Sequence, residues 1–403
     1  MRVGVSLYFQ GYQDWDRFEA HERGEGAPLD PSFDSKRWTE ELDSVLLIEG
    51  LGFDSIWAVE HHVSPYTMIN NPIQLLSFVA GATQRVDVGT MVVVLPWHHP
   101  LRVAEDMTML QYILRGRTPF IGVGRGLGRR EFRQLGVDMN ESAERMAESV
   151  QIIQLAIKEE IFSFHGKHYN FENVSMRPRP LDSQALLDAM HFSWGSPTSA
   201  PIGASFGLKP LIIPQRPWEA YHAELEEFSK ARRDAGFLPA RPRLHLNCFV
   251  AETHEAAEAG AWQYNGDYCD SASRNYEIFA DHFKSLRGYE HYAEMSKNRP
   301  EGDAGLKNMV QMYVANHIWG TPDECVEKLT RIAERFHPEE YMLTMRYGSM
   351  TKDESDKQLE LFSREVLPAL HELPTYEPID YSGAPSSEAE PHVSAERIIG
   401  SLP

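Results

Sequence analysis

VDVGTMVVVL, residues Val86–Leu95, is the stretch whose reading decides the fold. It is almost continuously apolar and rich in valine, with no polar side chain after Thr90. A strand with one wet face alternates, whereas an unbroken apolar run suits a strand covered on both faces, as in parallel sheets. Seven other stretches share the pattern: RVGVSLYF, DSIWAVE, PFIGVGRG, AMHFSW, PLIIP, LHLNCFV and EEYMLTM. Between them lie amphipathic segments, Trp38–Gly50, Leu101–Leu114, Ser142–Lys158, Trp218–Gly236, Pro322–Phe336 and Lys352–His371. Asn140 and Ser142, and Thr321-Pro322 followed by two acids, are helix-start signals. About eight strand–helix units predict an α/β fold, the (β/α)8 barrel. A doubly wound sheet generally has fewer strands.

Composition excludes several classes. A formal net charge of -20 with no basic cluster argues against nucleic acid, whose phosphates need a basic face. Cys248, Cys269 and Cys325 are too few and too scattered for a disulfide framework or a zinc ribbon, which predicts a reducing compartment. Nothing at the N-terminus reads as a signal peptide and no run is long enough to span a membrane, so the expectation is a cytoplasmic protein.

Three segments interrupt the strand–helix rhythm. Gln10–Lys36, an insertion after strand 1, falls where a barrel has its catalytic mouth and is a candidate cover. A second insertion after strand 7, about Asp270–Asn316, has loop-like composition and reads as a lid. Residues 1–373 are then one barrel domain, and 374–403, rich in Pro, Ser and Glu, a peripheral or disordered tail.

Catalytic groups of such barrels sit at the carboxyl ends of strands. There the sequence places Glu60, His61 and His62 (strand 2), His98 and His99 (strand 3), Arg125 (strand 4) and His191 (strand 5). Adjacent histidines on an extended chain point oppositely, and no metal-ligand spacing is present, so no metal is expected. GVGRGLGRREF follows the wrong strand for a dinucleotide fingerprint. Its glycines read as backbone kept small for the approach of something flat or anionic, with Arg125 offered to a phosphate. Gly195–Ala200, GSPTSA, opens a helix with small and hydroxyl residues, which suits a phosphate or plain capping. Tyr8, Trp97, Phe192 and Trp194 read either as walls of an apolar pocket or as core.

The motifs GFDSIWAVEHH, NPIQLLSFVAGATQRVDVGTMVVVLPWHHPLRVAED, GRGLGRREFRQLGVDMNES and GTPDECVEKL together resemble the bacterial luciferase-like family of flavin-dependent monooxygenases, from Met1 to about Leu373. The resemblance implies a barrel that binds reduced FMN supplied by a separate flavin reductase. Dioxygen and that flavin would form a hydroperoxide that oxygenates a small, largely apolar organic substrate. By motif, His61 matches the family's catalytic histidine and Arg125 its phosphate-binding arginine. Gly195, Ser196 and Ser199 fall where the phosphate site closes, and Thr90, Met91 and Val92 match the segment behind the flavin ring, where relatives often hold a non-proline cis peptide. Glu60, Tyr8, Trp97, His191 and Trp194 are the expected substrate-pocket groups. A homodimer through the helices after strands 2 and 3 follows by analogy. Light emission does not, since the segment Gln10–Lys36 has no counterpart of that length in the luciferases. Two rival readings remain: a deazaflavin-dependent hydride-transfer oxidoreductase, for which Arg129, Arg130 and Arg133 leave room, and a noncatalytic flavin-binding protein.

Overall fold

The apolar runs become strands because each is covered on both sides. In the computed structural model, which describes residues 1–26, 30–196, 199–278, 280–297 and 303–381, the strands in chain order are β1 (Arg2–Leu7), β2 (Ser55–Ala58), β3 (Asp87–Val94), β4 (Pro119–Gly124), β5 (Phe162–His165), β6 (Asn170–Val174), β7 (Met190–Ser193), β8 (Lys209–Ile212), β9 (Arg243–Val250), β10 (Ile318–Gly320) and β11 (Glu340–Thr344). Eight of them are parallel and pair in the order β1-β2-β3-β4-β7-β8-β9-β11, and β11 pairs back onto β1. The predicted (β/α)8 barrel is therefore closed, and its eight strands are the eight apolar runs.

The helices are α1 (Trp15–Glu22), α2 (Pro31–Ile48), α3 (Pro72–Ala82), α4 (Pro100–Leu114), α5 (Arg129–Gln134), α6 (Ser142–Lys158), α7 (Ser183–Asp188) and α8 (Ala200–Ser205). They continue with α9 (Trp218–Asp234), α10 (His254–Tyr276), α11 (Glu290–Lys297), α12 (Asp303–Asn316), α13 (Pro322–Phe336), α14 (Lys352–Glu365) and α15 (Leu367–His371). Thr321 opens α13 with a reciprocal capping box to Glu324, and Thr351 does the same for α14 with Glu354. The segment Lys352–His371 is two helices rather than one, because Pro368 has no N–H to continue the ladder. No described helix is long and apolar enough to cross a membrane.

The amino end of the barrel is closed by a buried ion pair. Arg243 meets Glu340 at 3.1 Å and lies over the Phe120 ring at 3.7 Å, while Arg2 reaches Asp87 at 2.6 Å. The carboxyl end carries the two insertions. Trp15 of α1 is buried and its indole N–H donates to Ser271 of α10 at 2.6 Å, so the first insertion packs against the second.

Where it is described, the second insertion is largely helical, and most of its loop-like run NRPEGDAG (298–305) lies outside the described residues. Residues 254–276 are one helix, followed by a 3-10 turn at Asp281–Ser285, then α11 and α12. Its Asn, Gly, Asp and Ser content disfavours helix intrinsically. Burial of Ala257, Ala261, Tyr264, Tyr268, Ala272 and Asn275 at helical spacing overrides that. Two further departures are the antiparallel β5–β6 hairpin and β10, which extends the far end of β9. Beyond Leu373, Tyr376 stacks on His337 and Tyr381 lies edge-on to His222, so residues 374–381 run along α13 and α9. The rest of the predicted tail lies outside the described residues.

Candidate active site

The chain leaves β2 extended, so His61 and His62 diverge. His61 Nδ1 lies 2.9 Å from Glu131 Oε1, and the same oxygen accepts the His62 backbone N–H at 2.9 Å. The fully buried Glu131 carboxylate can only accept, so the His61 proton belongs on Nδ1. Nε2 is then an acceptor, and the Tyr276 hydroxyl lies 3.2 Å from it. Burial pushes the Tyr276 phenol well above its ordinary range, so it stays protonated and donates. Gly128 at the start of α5 is bare because a Cβ there would collide with the Glu131 carboxylate.

His62 turns to the other side. Its Nε2 meets Glu60 Oε1 at 2.8 Å, and His98 Nε2 meets the same atom at 2.6 Å. Glu60 Oε2 accepts the Val94 backbone N–H at 2.9 Å. Burial works against the ionised carboxylate, but the two histidines outweigh it and hold Glu60 below its ordinary value. Among the described residues, no group of three His, Cys, Asp or Glu side chains is arranged to hold a metal ion.

Across the mouth stands Arg125. Its guanidinium lies 4.1 Å over the Tyr289 ring and donates to the Gly288 carbonyl. Tyr289 in turn donates to the Gly126 carbonyl at 3.0 Å. Arg216 donates to the Gly195 carbonyl at 2.6 Å, and a Cβ on Gly195 would collide with the Tyr292 hydroxyl. Ser199 donates its N–H to the Ser196 carbonyl at 2.9 Å. Residues 197 and 198 of the GSPTSA stretch lie outside the described residues.

One inner cavity of about 130 Å³ joins these ends. Glu60 and His61 line it at one side, Arg125, Gly195, Ser196 and Ser199 at the other, with Met91, Val92, Trp97 and Trp194 between. The Met91–Val92 peptide is cis. The indole N–H of Trp97 is buried without a partner in this wall. A larger chamber of about 470 Å³ adjoins the cavity, and the two share Leu127, Gln215, Tyr276 and Tyr292.

A family model described as luciferase-like monooxygenase matches residues 17–337. The chain belongs to the luciferase-like monooxygenase family. It is similar to the alkanal monooxygenase alpha chain of Photorhabdus luminescens, 25% identical over 331 residues that cover 80% of this chain and 89% of that relative. Its fold is similar to the oxygenating constituent of 3,6-diketocamphane monooxygenase from Pseudomonas putida, solved in complex with FMN. That likeness has a TM-score of 0.66 at 22% identity, over 91% of this chain and 98% of that one. It is similar also to an F420-dependent secondary alcohol dehydrogenase in complex with an F420-acetone adduct, with a TM-score of 0.62 at 16% identity, over 92% and 99%.

In this luciferase-like barrel three of the expected site residues stand away from the cavity. His191 is fully buried in β7, its Nδ1 held 2.8 Å from the Ala189 carbonyl and its ring edge-on to Phe120, toward the amino end. Its place in the middle of the strand, beside Gly122 and Lys209, keeps it out of the cavity lining. Tyr8 is buried behind Tyr268, on which it stacks, and its hydroxyl lies 3.3 Å from His245. Thr90 points into the barrel wall, where its hydroxyl donates to the Gly122 carbonyl at 2.8 Å. Of the glycines of GVGRG, Gly124 and Gly126 line the cavity. A Cβ on Gly122 would strike the Thr90 carbonyl and one on Gly124 the Val92 side chain, so both also admit the bulged β3.

Sequence reasoning missed Glu131, Tyr276, Tyr289, Tyr292 and Arg216. Only Glu131 left a trace: a carboxylate three residues after Gly128 in the run that also holds Arg125. The three tyrosines and Arg216 come from segments far along the chain, brought over the mouth by the packing of α10, α11 and the end of β8.

Proposed function

We propose that this chain is a flavin-dependent monooxygenase that takes reduced FMN from a separate flavin reductase and uses dioxygen to oxygenate a small, largely apolar organic substrate. The observation that carries this reading is the single cavity with Arg125 at one end and the Glu131–His61–Tyr276 chain at the other. The residues suit the cofactor. Arg125 and the polar groups of Gly195, Ser196 and Ser199 would hold its phosphate, and the Met91–Val92 wall would back its ring. Bound reduced flavin supplies the electrons with which dioxygen is activated, one oxygen atom passing to the substrate. His61, fixed in one tautomer by Glu131, can give or take the proton that this chemistry moves. Glu60 holds His62 and His98, and so fixes the Trp97 wall on which the His62 ring rests edge-on.

The FMN complex of a similarly folded oxygenase supports this cofactor. Similarity to an F420-dependent enzyme is the basis for a deazaflavin alternative. Against it stands the pairing of Arg129 with Glu277 and of Arg130 with Glu22, which spends charge that an anionic cofactor tail would need. Exposed Phe78 on α3 with Met109 and Tyr112 on α4 supports a homodimer through that face. Three buried, unpaired cysteines accord with a cytoplasmic setting.

The test is anaerobic binding of photoreduced FMN, followed by mixing with oxygenated buffer while absorbance is recorded, for the wild type and for His61→Ala. Tight binding and a slowly decaying oxygenated species, altered in the variant, supports the oxygenase. Binding of reduced F420 in place of FMN, with no reaction toward oxygen, supports the alternative.

A further inference from the structure

The chamber of about 470 Å³ has walls of Tyr268, Tyr276, Met309, Met312 and Tyr313, from α10 and α12. Aromatic faces and thioethers accommodate a flat apolar body, and the volume is in the range that takes up a ring system. Arg216 lines the chamber but is spent: it meets Glu224 at 2.7 and 3.0 Å and donates to the Gly195 carbonyl at 2.6 Å. Among the described residues no uncommitted guanidinium or ammonium lines this space, so a carboxylate or phosphate substrate would be buried unpaired. The described lining therefore favours a ligand that is neutral on entry.

Of the residues shared by chamber and cavity, Tyr276 is the one whose polar atom meets His61. Donating to His61 Nε2, its oxygen keeps lone pairs for a donor in the chamber. We propose, building on the oxygenase reading above, that the chamber takes a neutral ring-bearing compound with an acidic hydroxyl, a phenol or enol, and that Tyr276 carries that hydroxyl's proton to His61. As the substrate O–H proton passes to the Tyr276 oxygen, the Tyr276 proton passes to His61 Nε2. The products are a substrate oxyanion and an imidazolium beside the Glu131 carboxylate, and no electrons change hands. The oxyanion is the electron-rich form of such a ring and the one that accepts an electrophilic oxygen atom.

The other titratable groups facing this pair are Tyr66, whose ring lies 4.6 Å from His61 and 5.3 Å from Tyr276, with Tyr8 and Tyr292 near Tyr276. His291 and Glu294 line the chamber. Tyr66 and Tyr268 are bonded to each other at 2.8 Å and, like Tyr276, are pushed by burial well above the ordinary phenol range. They stay neutral, and the proton that Tyr276 hands on goes to His61 because its Nε2 is the atom the Tyr276 hydroxyl meets.

The probe is 4-nitrophenol, whose neutral and ionised forms absorb differently, titrated with flavin-free protein across pH. The expected result is an ionisation midpoint of the bound probe at least about one pH unit below that in solution, a tenfold gain in acidity. Tyr276→Phe should bind the probe within about threefold of wild type yet return the midpoint toward the solution value. Met312→Trp, which fills the chamber without touching the relay, should abolish binding. Circular dichroism melts verify that both variants fold. No binding by wild type, or equal midpoints in wild type and Tyr276→Phe, overturns the proposal. FMN binding, read separately by fluorescence quenching, keeps the two readings apart. An intact probe shift without FMN binding overturns the oxygenase and spares the relay, and FMN binding without a probe shift does the reverse.

Discussion

Glu131→Gln isolates what the Glu131 charge does for His61. In the wild type, Oε1 accepts two N–H groups at 2.9 Å, from His61 Nδ1 and from the His62 backbone, while Oε2 is buried without a partner. A glutamine would keep both bonds by placing its amide oxygen at Oε1, because its NH2 there would face two donors. The His61 tautomer is then preserved and only the charge is lost. A hydrogen bond to a charged group contributes about 1.5–3 kcal/mol and a neutral one about 0.5–1.5 kcal/mol, so a step that puts a second proton on His61 loses about 1–1.5 kcal/mol. That corresponds to a rate about five- to tenfold lower. The amide NH2, buried where Oε2 has no partner, should cost about 1–3 kcal/mol of stability as well. Glu131→Leu removes both acceptors and frees the tautomer, so its rate should fall further, roughly a hundredfold. The assay is single-turnover oxygenation by stopped flow with bound reduced FMN, with imidazole 15N shifts reporting the tautomer and urea melts the stability. A folded Glu131→Leu protein that reacts at the wild-type rate would refute the reasoning outright. A Glu131→Gln rate equal to wild type beside a slow Glu131→Leu would restrict Glu131 to orienting the ring.

Other outcomes follow from the same structure. Arg125→Ala should weaken FMN binding by about 1.5–3 kcal/mol, ten- to a hundredfold or more, read by fluorescence quenching, with little change in affinity for riboflavin, which lacks the phosphate. Arg243→Met leaves Glu340 buried beside a more distant Arg2 at 3.8 Å and should cost about 3–5 kcal/mol in urea melts. The double variant Arg243→Met, Glu340→Leu should recover most of that loss. Glu144 is bonded to Lys167, Arg287 and His168, which outweigh its burial and bring it from 4.5 down to about 2. A lowered carboxylate contributes stability that is present above pH 4.5 and lost as pH falls toward about 2, so Glu144→Gln should flatten the dependence of Tm on pH in that window.

How much of this was legible depended on whether a feature is local. The eight barrel strands were, because burial on both faces leaves an unbroken apolar run whatever the surroundings. Several helix starts were too: Thr321, Pro322 and Glu324 carry the capping box and the first-turn proline within four residues. The helix α10 that leads into the second insertion left little trace, because it owes its form to burial of Tyr264, Tyr268 and Ala272 rather than to propensity. That His61 and Arg125 would face one cavity could be read from their places at strand ends. His191 misled because strand length sets which residue reaches the mouth, and β7 runs to Ser193, leaving His191 inside the wall. Tyr276 carried no local signal at all, since it stands 215 residues from its partner His61.

The two adjacent histidines show what the backbone contributes that residue type does not. Had both faced one side, Glu60 and Glu131 would compete for them, and two carboxylates with two imidazoles in one dry pocket would make a plausible metal site. The extended chain separates them instead. One imidazole goes with Glu131 to the cavity and the Tyr276 hydroxyl, and the other goes with Glu60 and His98 to a wall that holds Trp97. Each carboxylate has its own partners, two N–H groups on Glu131 Oε1 and two imidazoles with the Val94 N–H on Glu60. The consequence is an asymmetry between the pair. His62→Gln can keep a donor toward Glu60 and should leave the wall standing, whereas at His61 no amide can take a proton from Tyr276 and hold it beside a carboxylate.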